Sequence, residues 1–83
     1  MHTATLAALP VNGSLQITKI DDGLPIKTRL GELGFLKGAV VDKLYVGFGG
    51  SPIAVRVSGA VIAVRTRDAE GINGIVHDMR AAV

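Results

Sequence analysis

The sequence contains no cysteine and no tryptophan, and its aromatic side chains are one tyrosine and two phenylalanines. The absence of cysteine excludes a disulfide framework, a thiolate zinc site and a cysteine nucleophile. The nine lysines and arginines are dispersed and form no basic run. Proteins that bind single-stranded nucleic acid stack bases on aromatic side chains in a basic groove, so we expect no nucleic-acid partner.

The sequence also lacks a long apolar run. No segment reaches the roughly 18 consecutive apolar residues that a membrane-spanning helix needs. Residues 1–10 are largely apolar but carry no lysine or arginine, and Pro10 interrupts them. That is not the pattern of a secretory signal peptide. These observations predict a cytoplasmic protein without direct membrane insertion.

Residues that could form a catalytic site are sparse and scattered. The two histidines, His2 and His77, lie near opposite ends of the chain, and no hydroxyl group has a base at the spacing of a nucleophilic site. The glycine-rich stretch at residues 47–50 is not followed by Lys-Ser/Thr, so we interpret it as a hairpin turn rather than a phosphate-binding loop. We therefore expect no enzymatic activity.

What the sequence does contain is a series of short apolar segments between glycine turns, typical of a small β protein. Near the start, Leu6 and Leu9 fit either one helical turn or an irregular arm whose side chains tuck under the sheet. The pattern predicts a single domain, 1–83, with a core over residues 6–76 and a frayed tail at 77–83. The fold class expected is mainly β, a small partly closed barrel of about five strands with one short helix after the first strand. The predicted strands are residues 14–20, 40–48, 53–57, 60–66 and 72–76, the last broken by Asn73-Gly74.

The helix is predicted within residues 24–41. Pro25 suits the first helical position, and Ile26, Leu30 and Leu33 share one face at i, i+4 and i+7. Gly34 is placed where a left-handed residue ends a helix. The period-2 and period-3.6 patterns together predict one core, made of Ile17, Ile26, Leu30, Leu33, Leu44, Val46, Ile53, Val55, Val57, Ile62 and Val64.

The same stretch carries a resemblance to a known family. Arg29-Leu30-x-x-Leu33-Gly34-Phe35-Leu36-x-Gly38 resembles the most recognisable segment of the FeoA family, small cytosolic proteins of bacterial ferrous iron transport. Other segments match the same family in order and spacing: Leu6-x-x-Leu9-Pro10-x-x-Gly13-x-x-x-Ile17-x-x-Ile20, Gly50-Ser51-Pro52-Ile53-x-Val55-x-Val57-x-Gly59, Ile62-Ala63-Val64-Arg65, and Ala69 with Ile72. The sequence departs from the family pattern at Val61, which is apolar where a polar outward residue is typical.

The resemblance implies an SH3-like barrel and a non-enzymatic adaptor. Such a protein would support ferrous iron uptake by engaging the cytosolic part of the membrane permease FeoB, with an effect on its GTPase domain as a further expectation. It would require no cofactor. The alternative is a regulatory metal-sensing or self-associating domain, because the same barrel forms the C-terminal domain of DtxR-type repressors. A homo-oligomer is compatible with that alternative.

The predicted partner surface is the helix end and its connector, with Arg29, Phe35, Leu36 and Lys37. Phe35 and Leu36 follow the glycine stop, so only one of them is easily buried beneath the helix. The other would be an exposed apolar group beside positive charge, a reasonable anchor for an interface. The competing interpretation is that both close the mouth of the barrel.

Metal-ligand candidates are weak. His77 and Asp78 could supply two ligands to Zn²⁺ or Fe²⁺, and His2 a third if the two ends of the chain meet. The competing interpretation is a solvated tail. We expect at most weak Fe²⁺ or Zn²⁺ binding there.

Overall fold

The computed structural model describes residues 2–78, with only the backbone described at Asp78. Six β-strands and two short α-helices make up this part of the chain, with one turn of 3₁₀ helix at Phe48–Gly50. In chain order the elements are β1 (Thr3–Thr5), β2 (Ser14–Ile20), α1 (Lys27–Glu32), β3 (Val40–Val46), β4 (Ile53–Val57), β5 (Ala60–Val64), α2 (Thr66–Ala69) and β6 (Ile72–Asp78).

These strands form one antiparallel sheet in the order β1-β6-β2-β3-β4-β5, so β1 and β5 are its two edges within residues 2–78. The mainly β fold class is confirmed. The strand that was missed is β1, whose three residues are too short for an alternating pattern to be visible. Consequently α1 follows the second strand rather than the first. No helix within residues 2–78 is long and apolar enough to cross a membrane.

Most of the predicted core residues are buried or half-buried, but two are exposed. Leu33 and Val46 are exposed, at 37% and 38%. The predicted core residues that are buried are Ile17, Leu30, Ile53, Val55, Val57 and Val64, while Ile26, Leu44 and Ile62 are half-buried. The core also contains buried residues that were not predicted, namely Leu6, Leu9, Leu15, Ile20, Phe35, Val41, Ala69 and Ile72.

Strand β3 buries the opposite parity from the one expected. Val41 and Lys43 point inward, whereas Val40 and Val46 are exposed. The pairing of β3 with β4 shifts register between Lys43 and Tyr45, and such an irregularity interrupts simple alternation along a strand. The number of apolar residues on each face of β3 therefore predicted the wrong buried face, because the strand buries Lys43 on its inward side.

Leu6 and Leu9 form both of the arrangements that the sequence left open. The Leu9 N–H donates to the Thr5 carbonyl at 3.1 Å, which makes one turn, and both leucine side chains are fully buried. The Leu6 N–H donates to the Ile72 carbonyl at 2.9 Å, so the arm is fastened to β6. The two leucine side chains of the arm are part of the hydrophobic core.

The last strand runs without the break predicted at Asn73-Gly74. A Cβ at Gly74 would lie 2.8 Å from Leu15 Cγ and closer still to the Gln16 carbonyl, so glycine allows β2 and β6 to approach. Because β6 extends through Asp78, it includes the first two residues of the predicted tail. The remainder of that prediction, residues 79–83, lies outside the described residues.

Candidate functional site

The end of helix α1 fixes the connector that was predicted to meet a partner. The Phe35 N–H donates to the Leu30 carbonyl at 2.9 Å, and the Gly34 N–H donates to the Gly31 carbonyl at 3.1 Å. These two bonds form a Schellman motif, with Gly34 in the left-handed conformation at φ 108°. A Cβ at Gly34 would also lie 2.5 Å from Ser58 Oγ, so glycine is needed for space as well as conformation.

This geometry decides which of the predicted partner residues reach the surface. Phe35 is 1% exposed and packs with Leu30 in the core, so its place on the predicted surface is wrong. The Schellman motif turns its side chain back under the helix, where burial of a ring is favourable. Leu36, the next residue, is 58% exposed, and Arg29 and Lys37 are also exposed.

The structure does not bring these three exposed residues into one patch. Leu36 and Lys37 line a depression of about 300 Å³ between α1 and β2, which we call the β2 depression. Arg29 lies on the other side of α1, in a wider groove of about 740 Å³ between α1 and β5, which we call the β5 groove. The predicted surface is therefore two surfaces separated by one helix.

The β5 groove is the larger concavity, and its lining was not predicted. Leu30, Leu33, Ile62 and Val64 supply its apolar wall. Its charged residues are Arg29, Arg65, Arg67 and Asp68. The nearest sequence signal is the apolar outward residue Val61, noted above as a departure from the family pattern, which directly precedes the lining residue Ile62 on β5.

Electrostatic pairing is sparse around both surfaces. Within residues 2–78 the one ion pair joins Lys27 and Asp22, beside the β2 depression. The hydrogen bond and charge of Lys27, and to a lesser degree the charge of Lys19, lower the pKa of Asp22. Both partners are exposed, so this pair orients the start of α1 and contributes little stability.

Among the side chains that the structure describes, the one buried charge belongs to Lys43, which does not line either concavity. Its ammonium donates to the carbonyls of Leu6, Ala7 and Leu9. Burial lowers the pKa of Lys43. Since every hydrogen-bond partner is a backbone carbonyl of the N-terminal arm, the arrangement is structural and offers no reacting group.

The metal candidates His2 and His77 lie directly before β1 and within β6. The Val76 N–H donates to the His2 carbonyl at 2.7 Å, so His2 lies beside β6, next to the residue that precedes His77. The pairing of β6 with β2 shifts register between Val76 and Asp78, an irregularity that interrupts the alternation of faces at His77. Both histidine side chains are exposed, and nothing is described of the Asp78 side chain. Within the described residues no group of three histidine, cysteine, aspartate or glutamate side chains could hold a metal ion.

The comparisons with known proteins agree with this architecture. Residues 4–74 match the family model of the FeoA domain. The chain belongs to the FeoA family. It is therefore an SH3-like domain of a family associated with ferrous iron transport. No match was found among curated proteins.

Two solved FeoA structures illustrate the similarity. The Stenotrophomonas maltophilia FeoA, solved with zinc, is 32% identical, with 89% of each chain covered and a TM-score of 0.73. The Chlorobium tepidum FeoA is 29% identical over 87% of this chain and 70% of that one, with a TM-score of 0.79. A manganese-dependent transcriptional repressor shares the fold, at 19% identity, 90% and 37% coverage and a TM-score of 0.80.

Proposed function

We propose that this FeoA-family protein is a non-enzymatic cytoplasmic accessory of ferrous iron uptake that engages the cytosolic part of the FeoB permease. The observation that carries the proposal is the exposure of Leu36, 58%, beside Lys37 on a connector held rigid by the Schellman motif. An apolar side chain on a rigid support beside a cation is a typical interface anchor, because little conformational freedom is lost on binding. Family membership supplies the link to iron transport.

Arg29 belongs to the proposed contact surface from the other side of α1. It is exposed and points into the β5 groove, so a partner that contacts both Leu36 and Arg29 covers the helix between them. Phe35 stabilises this surface from beneath and does not contact the partner. The contact would set the orientation of the GTPase domain, which is how binding could modulate GTP hydrolysis.

Affinity measurement against the purified cytosolic part of FeoB tests the proposal. Leu36→Ser and Arg29→Glu each weaken association, while circular dichroism and the melting temperature stay nearly unchanged because both side chains are exposed. Val11→Ser is the matched control, since Val11 is 36% exposed on the turn before β2 and lines neither the β2 depression nor the β5 groove. Normal binding by both variants would place the contact elsewhere, and failure of the unaltered protein to bind would overturn the function.

The alternative function is a regulatory metal-sensing or self-associating domain. Its support is the fold shared with the manganese-dependent repressor. Metal-dependent dimerisation, followed by sedimentation with and without Zn²⁺ or Mn²⁺, would favour this alternative over the adaptor. We propose that no cofactor is required, and that Fe²⁺ or Zn²⁺ binds only weakly at His2 or at His77 with Asp78.

A further inference from the structure

Strand β5 is a free edge that lacks the features by which proteins usually protect edges. Among the strands of residues 2–78, its neighbour in the sheet is β4 alone. The five residues of Ala60–Val64 are all apolar, and their pairing with β4 has no register shift. Natural edge strands carry charges, prolines or bulges that prevent another chain from pairing with them. A regular, uncharged edge with Val61 58% exposed is therefore open to an added strand.

The turn before β5 identifies the backbone groups that face outward. Ser58 and Gly59 have φ values of 51° and 78°, which makes a two-residue type I′ hairpin turn. Such a turn is closed by a hydrogen-bonded pair, here Val57 with Ala60. Pairs alternate along an antiparallel ladder, so the N–H and C=O groups of Val61 and Ala63 point away from β4.

Within residues 2–78 these outward groups have no hydrogen-bond partner. Among residues 2–78, no hydrogen bond from a turn, loop or side chain reaches the backbone of Val61 or Ala63. Two donors and two acceptors are thus presented in a row along the outer edge of β5, and of their two residues Ala63 also lines the β5 groove. Their spacing is that of a strand that pairs with a neighbour.

The charged residues around the β5 groove indicate which kind of segment could pair with β5. The β5 groove is lined by three guanidinium groups, those of Arg29, Arg65 and Arg67, and by one carboxylate, that of Asp68. Within the described residues none of the three arginines forms an ion pair. A segment carrying carboxylates would find unpaired cations at the end where β5 leads into α2, and arginine suits bidentate contact with carboxylate.

We infer that the β5 edge and the β5 groove together hold an extended segment of the partner protein, apolar at alternate positions and acidic at the end that lies beside Arg65 and Arg67. The segment pairs with Val61 and Ala63 through its backbone. Its apolar side chains enter the groove beside Ile62 and Val64, and its carboxylates meet Arg65 and Arg67. This inference rests on the proposed function, because it describes how that partner is held.

Charge distinguishes this occupant from a second copy of the chain. The five residues of β5 are all apolar, so β5 of another copy would bring no carboxylate to Arg29, Arg65 and Arg67. An acidic strand adds the same backbone hydrogen bonds and also pairs these cations with opposite charge. Backbone hydrogen bonds give affinity when a strand adds to an open edge, and side-chain contacts give specificity.

The probe is a short amidated peptide with valine at alternate positions and glutamate at both ends. Its binding to the protein is measured by NMR. Binding slows hydrogen exchange of the Val61 and Ala63 amides by at least about tenfold, because both donors become paired. A peptide with lysine in place of glutamate binds at least about tenfold more weakly. Equal binding of the two peptides, or protection confined to other strands, would overturn the inference.

Two sets of variants separate the backbone and charge contributions. Ala63→Pro removes one outward N–H, and proline is tolerated on an edge strand where that N–H faces solvent. It weakens peptide binding at least about tenfold, whereas Ala63→Ser, which keeps the N–H, does not. Arg65→Gln with Arg67→Gln also weakens binding, whereas Lys19→Gln with Lys27→Gln, an equal charge loss on the other side of α1, leaves it unchanged. If Ala63→Pro unfolds the domain, the arginine pair decides the result.

Two further outcomes separate this inference from the proposed function. If the cytosolic part of FeoB binds the unaltered protein and the Ala63→Pro variant equally well, the function stands and the edge inference is wrong. If FeoB does not bind but the acidic peptide does, the function is wrong and the edge still selects an acidic strand. A dimer of the unaltered chain that Ala63→Pro dissociates would show a second copy on β5 and overturn the inference.

Discussion

The Lys43 ammonium donates a hydrogen bond to the Leu9 carbonyl at 2.6 Å from a side chain that is 4% exposed. The same nitrogen donates to the Ala7 carbonyl at 3.0 Å and to the Leu6 carbonyl at 3.3 Å. One lysine on β3 thus satisfies three carbonyls of the turn that closes the core. Since buried carbonyls without partners are costly, the turn and the lysine depend on each other.

The first prediction concerns the contribution of Lys43 to stability. Lys43→Met keeps the apolar stem but removes the donors, and we expect the free energy of unfolding to fall by about 1–3 kcal/mol because carbonyls are left unpaired. Urea denaturation measures the change. Lys19→Met is the control, since Lys19 is exposed on β2 and its loss should be nearly neutral. Equal effects of the two variants would contradict the structural role of Lys43.

The second prediction follows from the pKa of Lys43, which burial lowers from its usual value of 10.5. Between the lowered pKa and 10.5 the unfolded chain binds more protons than the folded one, so the stability contributed by this group rises with pH. At pH values below the lowered pKa, Lys43 is protonated in both the folded and the unfolded state, and the folded state bears the full free-energy cost of burying the charge. The difference in unfolding free energy between the unaltered protein and Lys43→Met isolates this slope. A difference that falls across the same range would reverse the sign we assign.

The third prediction compares two leucines of the same helix. Leu30 is 2% exposed and Leu33 is 37% exposed. Leu30→Ala should lower stability by about 2–5 kcal/mol, because it opens a cavity in the core. Leu33→Ala should cost only about 1 kcal/mol, because less apolar surface is buried there. Chemical denaturation of both variants tests the comparison, and equal losses would contradict the burial assigned to α1.

The fourth prediction compares two glycines with opposite requirements. Gly74→Ala places a methyl group 2.8 Å from Leu15 Cγ, so we expect a loss of about 1–3 kcal/mol from overpacking between β2 and β6. Gly31→Ala lies inside α1, with its nearest neighbour, Leu36 Cδ2, at an ordinary 3.6 Å. It should gain about 1 kcal/mol through helix propensity. Melting temperatures that shift in the same direction would contradict this assignment.

The fifth prediction is that metal binding by the monomer is weak. His2 and His77 are exposed, and within residues 2–78 no group of three histidine, cysteine, aspartate or glutamate side chains could hold a metal ion. Anaerobic calorimetry with Fe²⁺, and calorimetry with Zn²⁺, should show no tight site. A submicromolar site that is lost in His77→Ala would overturn this expectation.

The part of the fold that could be predicted from the sequence is the part set by local chemistry. The strand at Ser14–Ile20 and the hairpin around Ser58-Gly59 follow from alternation and turn residues, and Gly34 marks the helix end. These signals act between residues close in sequence, where side-chain period and backbone conformation are visible directly. The resemblance carried by the same glycines and aliphatic residues gave the family.

Tertiary structure alone decided the features that depend on residues far apart in the chain. Lys43 faces inward because its ammonium donates to carbonyls of the N-terminal arm, and these acceptors are more than 30 residues away in sequence. Gly74 continues a strand rather than breaking it because Gln16 packs against it from β2. The helix α1 separates Leu36 from Arg29, so one predicted surface became two. The direction in which a side chain faces depends on what the folded chain packs against it, and a pattern of neighbouring residues does not contain that information.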